Sequence, residues 1–346
     1  MQRQASIAVV CSSRSLAQEV CLRLSRSTPT EISLLSESNP LSSQVTTTLF
    51  IPAAPEQFPE QPLGAYLCWG TNAQILVIDS AAGIDSETIS LTRCAMQFHP
   101  TIIAITGLNH PNSNFDESVA VCQRVFGEDR QVVPVSLPVL NDHEVVQGIL
   151  DLLTDAIHWF DESGSIELHD LETEHYELVE TRIDDLLDAI AITSHDSELV
   201  AAIVEGTGID TDSFLSELTD ATLRRELVPV VALEGIIGSE LLAQFAQQLG
   251  FSASMTWSPV DYAGQEGVIA TVLPNNLLRI WQGTVRHDTY RHGDHPVTIE
   301  DLTTMSGRSV TEISGSQLCH ATTIPALLPG STISDSGYLI SMSTAE

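Results

Sequence analysis

The chain has 346 residues, 43% of them hydrophobic, too long for one ordinary domain and suited to two with sizeable cores. No apolar run is long enough to span a bilayer, and Ile7–Cys11 behind Arg3 is too short for a signal-peptide core, so the expectation is a cytoplasmic protein without membrane association. Asp and Glu number 46 against 14 Lys plus Arg, a formal charge of −32, which repels nucleic-acid phosphates and argues against direct nucleic-acid contact.

In chain order, residues 5–10 read as a buried strand and Ser15–Leu24 as a helix with Leu16, Val20 and Leu24 on one face. Residues 28–48 read as a Ser/Thr-rich loop, and Thr47–Ile51 as a short strand stopped by Pro52 and Pro55. Gln74–Asp79 and Thr101–Ile105 are predicted buried strands, followed by helices over Ser86–Gln97 and Phe115–Phe126, with a further strand at Gln131–Val135. Strands alternating with helices predict a doubly wound parallel sheet. The pattern over Val145–Phe160 is mixed, and Asp161–His175 is acidic. Tyr176–Ile192, Ser197–Val204 and Ser213–Leu223 read as helices, Leu227–Ala232 as a strand and Ser239–Leu249 as a helix. Beyond residue 252, short strands at Gly267–Leu273, Leu277–Thr284, Val297–Leu302 and Val310–Ile313, separated by Gly, Pro and Asn, predict a small β-barrel.

Several stretches carry a family resemblance. ILVIDSAAGIDSET at 75–88 is similar to a strand and turn usually written VDA..G.....T, and PTIIAITGLNHPNSNFDE at 100–117 to a strand ending in Asn-Lys-x-Asp. VPVSLPV at 133–139, GILDLLTDAIHWFD at 148–161 and LRRELVPV at 223–230 follow in the order the family keeps. LRIWQGTVRHDTYRHGD at 278–294 and MSGRSVTEI at 305–313 match its second domain. In order and spacing the chain resembles the first two domains of elongation factor G and its relatives among the translational GTPases. The resemblance implies an α/β fold: a P-loop-type, doubly wound G domain over 1–252 with an internal α-rich insertion at about 140–225. A translation-factor-type antiparallel β-barrel over 253–346 is implied to follow it.

The nucleotide motifs of that family are degenerate here. Gly-x4-Gly-Lys-Ser/Thr lets a loop wrap a phosphate, neutralise it and hold magnesium. At the matching positions Cys11 and Leu16 replace the glycines, Ala17 the lysine and Gln18 the hydroxyl, and Arg14 is the one nearby cation. The second switch, Asp-Thr-Pro-Gly, becomes Pro52, Ala53, Ala54 and Pro55, with Glu56 nearest to the family's histidine. The guanine motif becomes Thr106, Gly107, Leu108 and Asn109, and the last guanine loop is shortened around Leu233-Glu234-Gly235. The first switch, at 28–48, is also short. Together these changes predict no catalytic residues and no GTP or magnesium cofactor.

All 14 cationic residues are Arg, so the chain holds no lysine. Avoidance of lysine modification and adaptation to high internal salt are two accounts, and the second explains acidity better than complete absence. The six cysteines, Cys11, Cys21, Cys68, Cys94, Cys122 and Cys319, form no C-x-x-C pair and read as buried free thiols. His287, Asp288, His292, Asp294 and His295 could hold a metal. They lack regular ligand spacing and read instead as polar residues of a turn between barrel strands, so no metal site is expected. Asp184, Asp185 and Asp188 read as a solvated helix face rather than paired catalytic acids. Ser12, Ser13 and Ser15 lie outside any Gly-x-Ser-x-Gly elbow, and Trp69, Trp159, Trp257 and Trp281 read as packing anchors. The expected function is therefore that of a pseudo-GTPase, an acidic interaction or assembly subunit with an unidentified protein partner. The alternatives are a divergent GTP-binding translation factor or ribosome-associated regulator, and an unrelated enzyme using the empty cleft.

Overall fold

The computed structural model describes residues 3–27, 46–53, 70–154, 156–160, 166–170, 173–207, 210–256, 266–315 and 317–339. Most of the first-switch segment at 28–48, together with Ala54, Pro55, Glu56, Cys68, Trp69 and Trp257, lies outside the described residues.

Six parallel strands form the central sheet: β1 (Arg3–Cys11), β2 (Thr46–Ala53), β3 (Ala73–Asp79), β4 (Thr101–Thr106), β5 (Gln131–Pro134) and β10 (Leu227–Ala232), in the order β2-β1-β3-β4-β10-β5. The inner strands are continuous apolar runs because both faces are covered. Ile7, Val9 and Cys11 point to one side, against α1 (Arg14–Ser27), α4 (Thr173–Thr193), α6 (Thr211–Leu223) and α7 (Ser239–Thr256). Ala8 and Val10 point to the other, against α2 (Ser86–Met96) and α3 (Phe115–Phe126). Local chemistry sets the helix starts. The Asp85 carboxylate accepts from the Thr88 amide, the Asn114 side chain from Glu117, and Asp196 from Glu198 and Leu199 at the start of α5 (Ser197–Glu205). Gly206 ends α5 in the left-handed conformation.

Two expectations need correction, and a third gains detail. Pro52 does not stop its strand: β2 runs through it to Ala53, with Pro52 opposite Val9. β2 is an edge strand, where a missing N–H on the open side costs no ladder bond. Within the expected α-rich insertion, three helices hold most of the regular structure, preceded by strands. The first part is a four-stranded antiparallel sheet of β6 (Ser136–Leu140), β7 (Val146–Asp151), β8 (Ala156–Phe160) and β9 (Ile166–Asp170), followed by α4, α5 and α6. The barrel also has more strands than its apolar runs indicate. β11 (Ile269–Leu273), β12 (Leu277–Gln282), β14 (Thr289–His292), β15 (His295–Thr304), β17 (Leu318–Ile324) and β18 (Thr332–Ser334) close into one antiparallel barrel. β13 (Thr284–Arg286) and β16 (Glu312–Ser314) pair beside it.

The barrel encloses its own core of Val272, Leu278, Ile280, Val297 and Ile299. Its outer residues Ile269, Leu273, Leu277, Trp281 and Leu318 join the core on the α2 and α3 side of the parallel sheet, so the two parts share a packed interface. Arg279 is 1% exposed in that interface. Its Nη1 donates to Ser6 Oγ at 3.2 Å, and its guanidinium lies 5.0 Å from the Trp281 ring centre. Ser6 in turn donates from its amide and its hydroxyl to Asn72 Oδ1, both at 2.9 Å. No described helix is long and apolar enough to cross a membrane.

Candidate functional site

In an open α/β sheet the ligand crevice lies at the carboxyl ends of the strands. Here that rim is formed by Cys11, Ala53, Asp79, Thr106 and Leu233, which places the three degenerate motifs on one edge of the sheet.

At the first motif the connection from β1 to α1 is Ser12 and Ser13, and Arg14 is already helical. Leu16, Ala17 and Gln18 therefore lie within the helix instead of closing a loop. The Leu16 amide donates to Ser13 Oγ at 3.3 Å, and the Ala17 amide to Ser13 O at 3.1 Å, as in an ordinary capped helix start. The Ala17 side chain is fully buried among Val20, Leu24 and the sheet, while Gln18 is exposed. Cys11 is also fully buried. Burial pushes its thiol above the usual range, against hydrogen bonds from Ser13 and Ser12 that favour the thiolate.

At the guanine motif, Gly107 has φ +70, and a Cβ there would stand 2.8 Å from Asp79 Oδ1. Glycine is required on both counts. Asp79 Oδ1 accepts from the amides of Ala81 and Ala82, at 2.9 and 3.1 Å, and so folds the turn after β3. The Leu108 amide donates to Glu234 Oε2 at 2.6 Å. Asn109 Oδ1 accepts from the Val146 amide at 2.7 Å, tying the motif to the start of β7. The Leu108 carbonyl accepts from Ser113 Oγ at 2.6 Å. At the second switch, Pro52 and Ala53 are strand residues and Ala53 is fully buried. Sequence reasoning missed Glu234, Ser13 and Asp79 as partners. Only Ser13 had a local signal, a serine placed to cap a helix.

The acidic and histidine-rich candidates resolve differently. Arg182 Nη2 donates to Asp116 Oδ1 at 2.6 Å, and Arg182 Nη1 lies 3.7 Å from Asp185 Oδ2, so the helix-face acid Asp185 shares a guanidinium. The histidine segment is not a plain turn. Thr289–His292 is β14, His295 opens β15, and Gly293 with Asp294 joins them, because Tyr290 is buried between outward neighbours. His292 Nδ1 contacts the Thr332 carbonyl at 2.8 Å. Among the described residues, no three His, Cys, Asp or Glu side chains are grouped to hold a metal ion.

His287 contacts two main-chain carbonyls, Glu300 O at 2.6 Å from Nδ1 and Val310 O at 2.9 Å from Nε2. A neutral imidazole can donate only once, so both bonds require the imidazolium. Hydrogen bonds to Val310 and Glu300, and the nearby Asp301 charge, raise its pKa above the ordinary histidine value. This contribution to stability is complete below the unfolded value and is lost as pH rises through the folded one. His287→Ala should therefore lower the melting temperature at acidic pH and converge on the unsubstituted protein at alkaline pH. A difference independent of pH contradicts the assignment.

The comparisons with known proteins agree with this architecture. The chain is 25% identical over 244 residues to the elongation factor G-like protein of Mycobacterium tuberculosis, covering 63% of this chain and 33% of that protein. It is 25% identical over 182 residues to the elongation factor G-like protein of Thermotoga maritima, covering 51% of this chain and 25% of that one. It superposes with a TM-score of 0.69 and 17% identity on a crystal structure from Thermus thermophilus, covering 95% of this chain and 54% of that one. No protein-family model matches. The parallel sheet domain followed by a closed barrel is thus a fold shared with a solved structure, and part of the sequence is similar to proteins named elongation factor G-like. The chain spans about a third of the length of the first of these relatives.

Proposed function

We propose that this chain is a non-catalytic pseudo-GTPase whose elongation factor G-like frame serves as an acidic protein-interaction or assembly subunit. The observation that carries the reading is that three polar groups at the degenerate motifs are bonded within the chain. Ser13 takes the Leu16 amide, Glu234 takes the Leu108 amide, and Val146 occupies the Asn109 oxygen. A guanine nucleotide would have to displace each of them, without a lysine to repay the exchange, since the matching position is the buried Ala17. Neither GTP nor magnesium has a role in this reading. The partner is a protein, and the charge of −32 selects a cationic one and disfavours a nucleic acid.

Titration with a fluorescent N-methylanthraniloyl derivative of GTP, in the presence of magnesium, tests the reading. The expected result is no saturable fluorescence change. Saturable binding displaced by unlabelled GTP would instead support a divergent GTP-binding factor.

A further inference from the structure

An open cleft of about 650 Å³ adjoins the crevice rim, with Leu108 and Asn109 of the guanine motif among its lining residues. One wall is the segment after β4, from Leu108 and Asn109 through His110 and Pro111 to Asp116. The other is the β6–β7 hairpin, through Leu137, Pro138, Leu140 and Val145, and Arg182 of α4 closes the base. Leu140 and Val145 are 49% and 41% exposed at the mouth, although both are aliphatic. Paired apolar exposure beside a concavity marks a contact surface more often than scattered single residues do.

The hairpin tip is held rigidly. Asn141 Oδ1 accepts from the His143 and Val145 amides at 2.9 and 3.1 Å, and the Glu144 amide donates to Asn141 O at 3.0 Å. Glu144 takes φ 59, a left-handed conformation that a non-glycine residue adopts at a cost. The root of the hairpin is pinned by the bond from Val146 to Asn109. Leu140, Val145 and the Glu144 carboxylate are thus presented in one fixed arrangement, which limits the entropy lost on binding.

Charge selects the occupant. Asp142 and Glu144 are exposed at the hairpin tip, Asp116 and Asp185 share the single guanidinium of Arg182, and His110 and His143 also line the cleft, so four carboxylates stand against one permanent cation. The rim therefore keeps a net negative charge, which repels phosphate-bearing ligands. Strand addition along β6 is blocked where Pro138 lacks an N–H, so recognition falls to side chains.

We infer that this cleft docks a cationic segment of a partner protein, with one or two aliphatic side chains seated between Leu140 and Val145 and its arginines or lysines against Asp142, Glu144 and Asp116. This rests on the interaction role proposed above and names the surface and the partner's chemistry.

The test uses fluorescence anisotropy of the whole chain with three labelled peptides, RRLGLRR, RRSGSRR and EELGLEE. The expected order places RRLGLRR first, with each of the others weaker by about tenfold or more, the effect of losing an aliphatic anchor or of reversing the charge. Leu140→Ser with Val145→Ser, and separately Asp142→Asn with Glu144→Gln, should each weaken RRLGLRR by about tenfold. All four side chains are exposed, so circular dichroism should show unchanged folding. Equal binding of RRLGLRR and RRSGSRR, or unchanged binding by both double variants, overturns the inference and leaves only a diffuse acidic surface. Such a failure leaves the nucleotide titration untouched, so the two readings fall separately.

Discussion

Replacing Ala17 by lysine, which returns the family's phosphate-binding cation to its position, is expected to destabilise the protein by about 3–5 kcal/mol and to create no nucleotide site. Ala17 is fully buried in the core between α1 and the sheet, with Val20 and Leu24 of its own helix. Four methylenes and an ammonium have no space there, among the apolar side chains that surround it. Overpacking and an unpaired buried charge act in the same direction. Gln18→Lys is the control, because Gln18 is exposed on the same helix and its substitution should stay within about 0.5 kcal/mol. Urea unfolding of both variants, with and without magnesium and GTP, gives the comparison. A tolerated Ala17→Lys that GTP then stabilises would mean that the crevice lacked only its cation.

The second large effect is expected at Arg279. Truncation to alanine removes a fully enclosed side chain from the interface between sheet and barrel, leaving a cavity and depriving Ser6 of its donor. The expected cost is about 3–4 kcal/mol. Arg279→Met keeps most of the volume and gives up the charge, so it should cost less than alanine, in line with apolar replacement of buried ions. Arg279→Lys keeps the charge but cannot stack a planar group on Trp281, and should also fall short of the native protein. If Met proves worse than Ala, the charge rather than the packing holds the interface. Thermal unfolding of the three variants ranks them.

The parallel sheet was legible because its inner strands are buried on both faces. Ile75–Ile78 and Ile102–Ile105 are uninterrupted apolar runs that no helix period explains. Pro52 misled because a proline is informative only once the strand's neighbours are known, and β2 has a neighbour on one side. β17 escaped notice because His320, Thr322 and Thr323 interrupt the apolar residues of Leu318–Ile324. The four-stranded sheet of the insertion escaped for a similar reason: Ser136–Leu140 contains a proline, and β8 mixes His158 among apolar residues. At the site, the replaced residues could be read one by one, but their new partners could not. The Leu108–Glu234 bond spans 126 positions and the Asn109–Val146 bond 37, and no local pattern announces either.

The central claim is that the nucleotide-motif groups of this elongation factor G-like frame are taken up by the chain's own contacts. Thermal unfolding with magnesium and either GTP or GDP tests it most directly, because any ligand that binds only the folded state must stabilise it, by about 2.7 kcal/mol at a hundredfold excess over its dissociation constant. The account predicts superimposable transitions with and without nucleotide up to millimolar concentration. A rise in melting temperature that saturates at micromolar GTP or GDP, and is not reproduced by ATP, would contradict it.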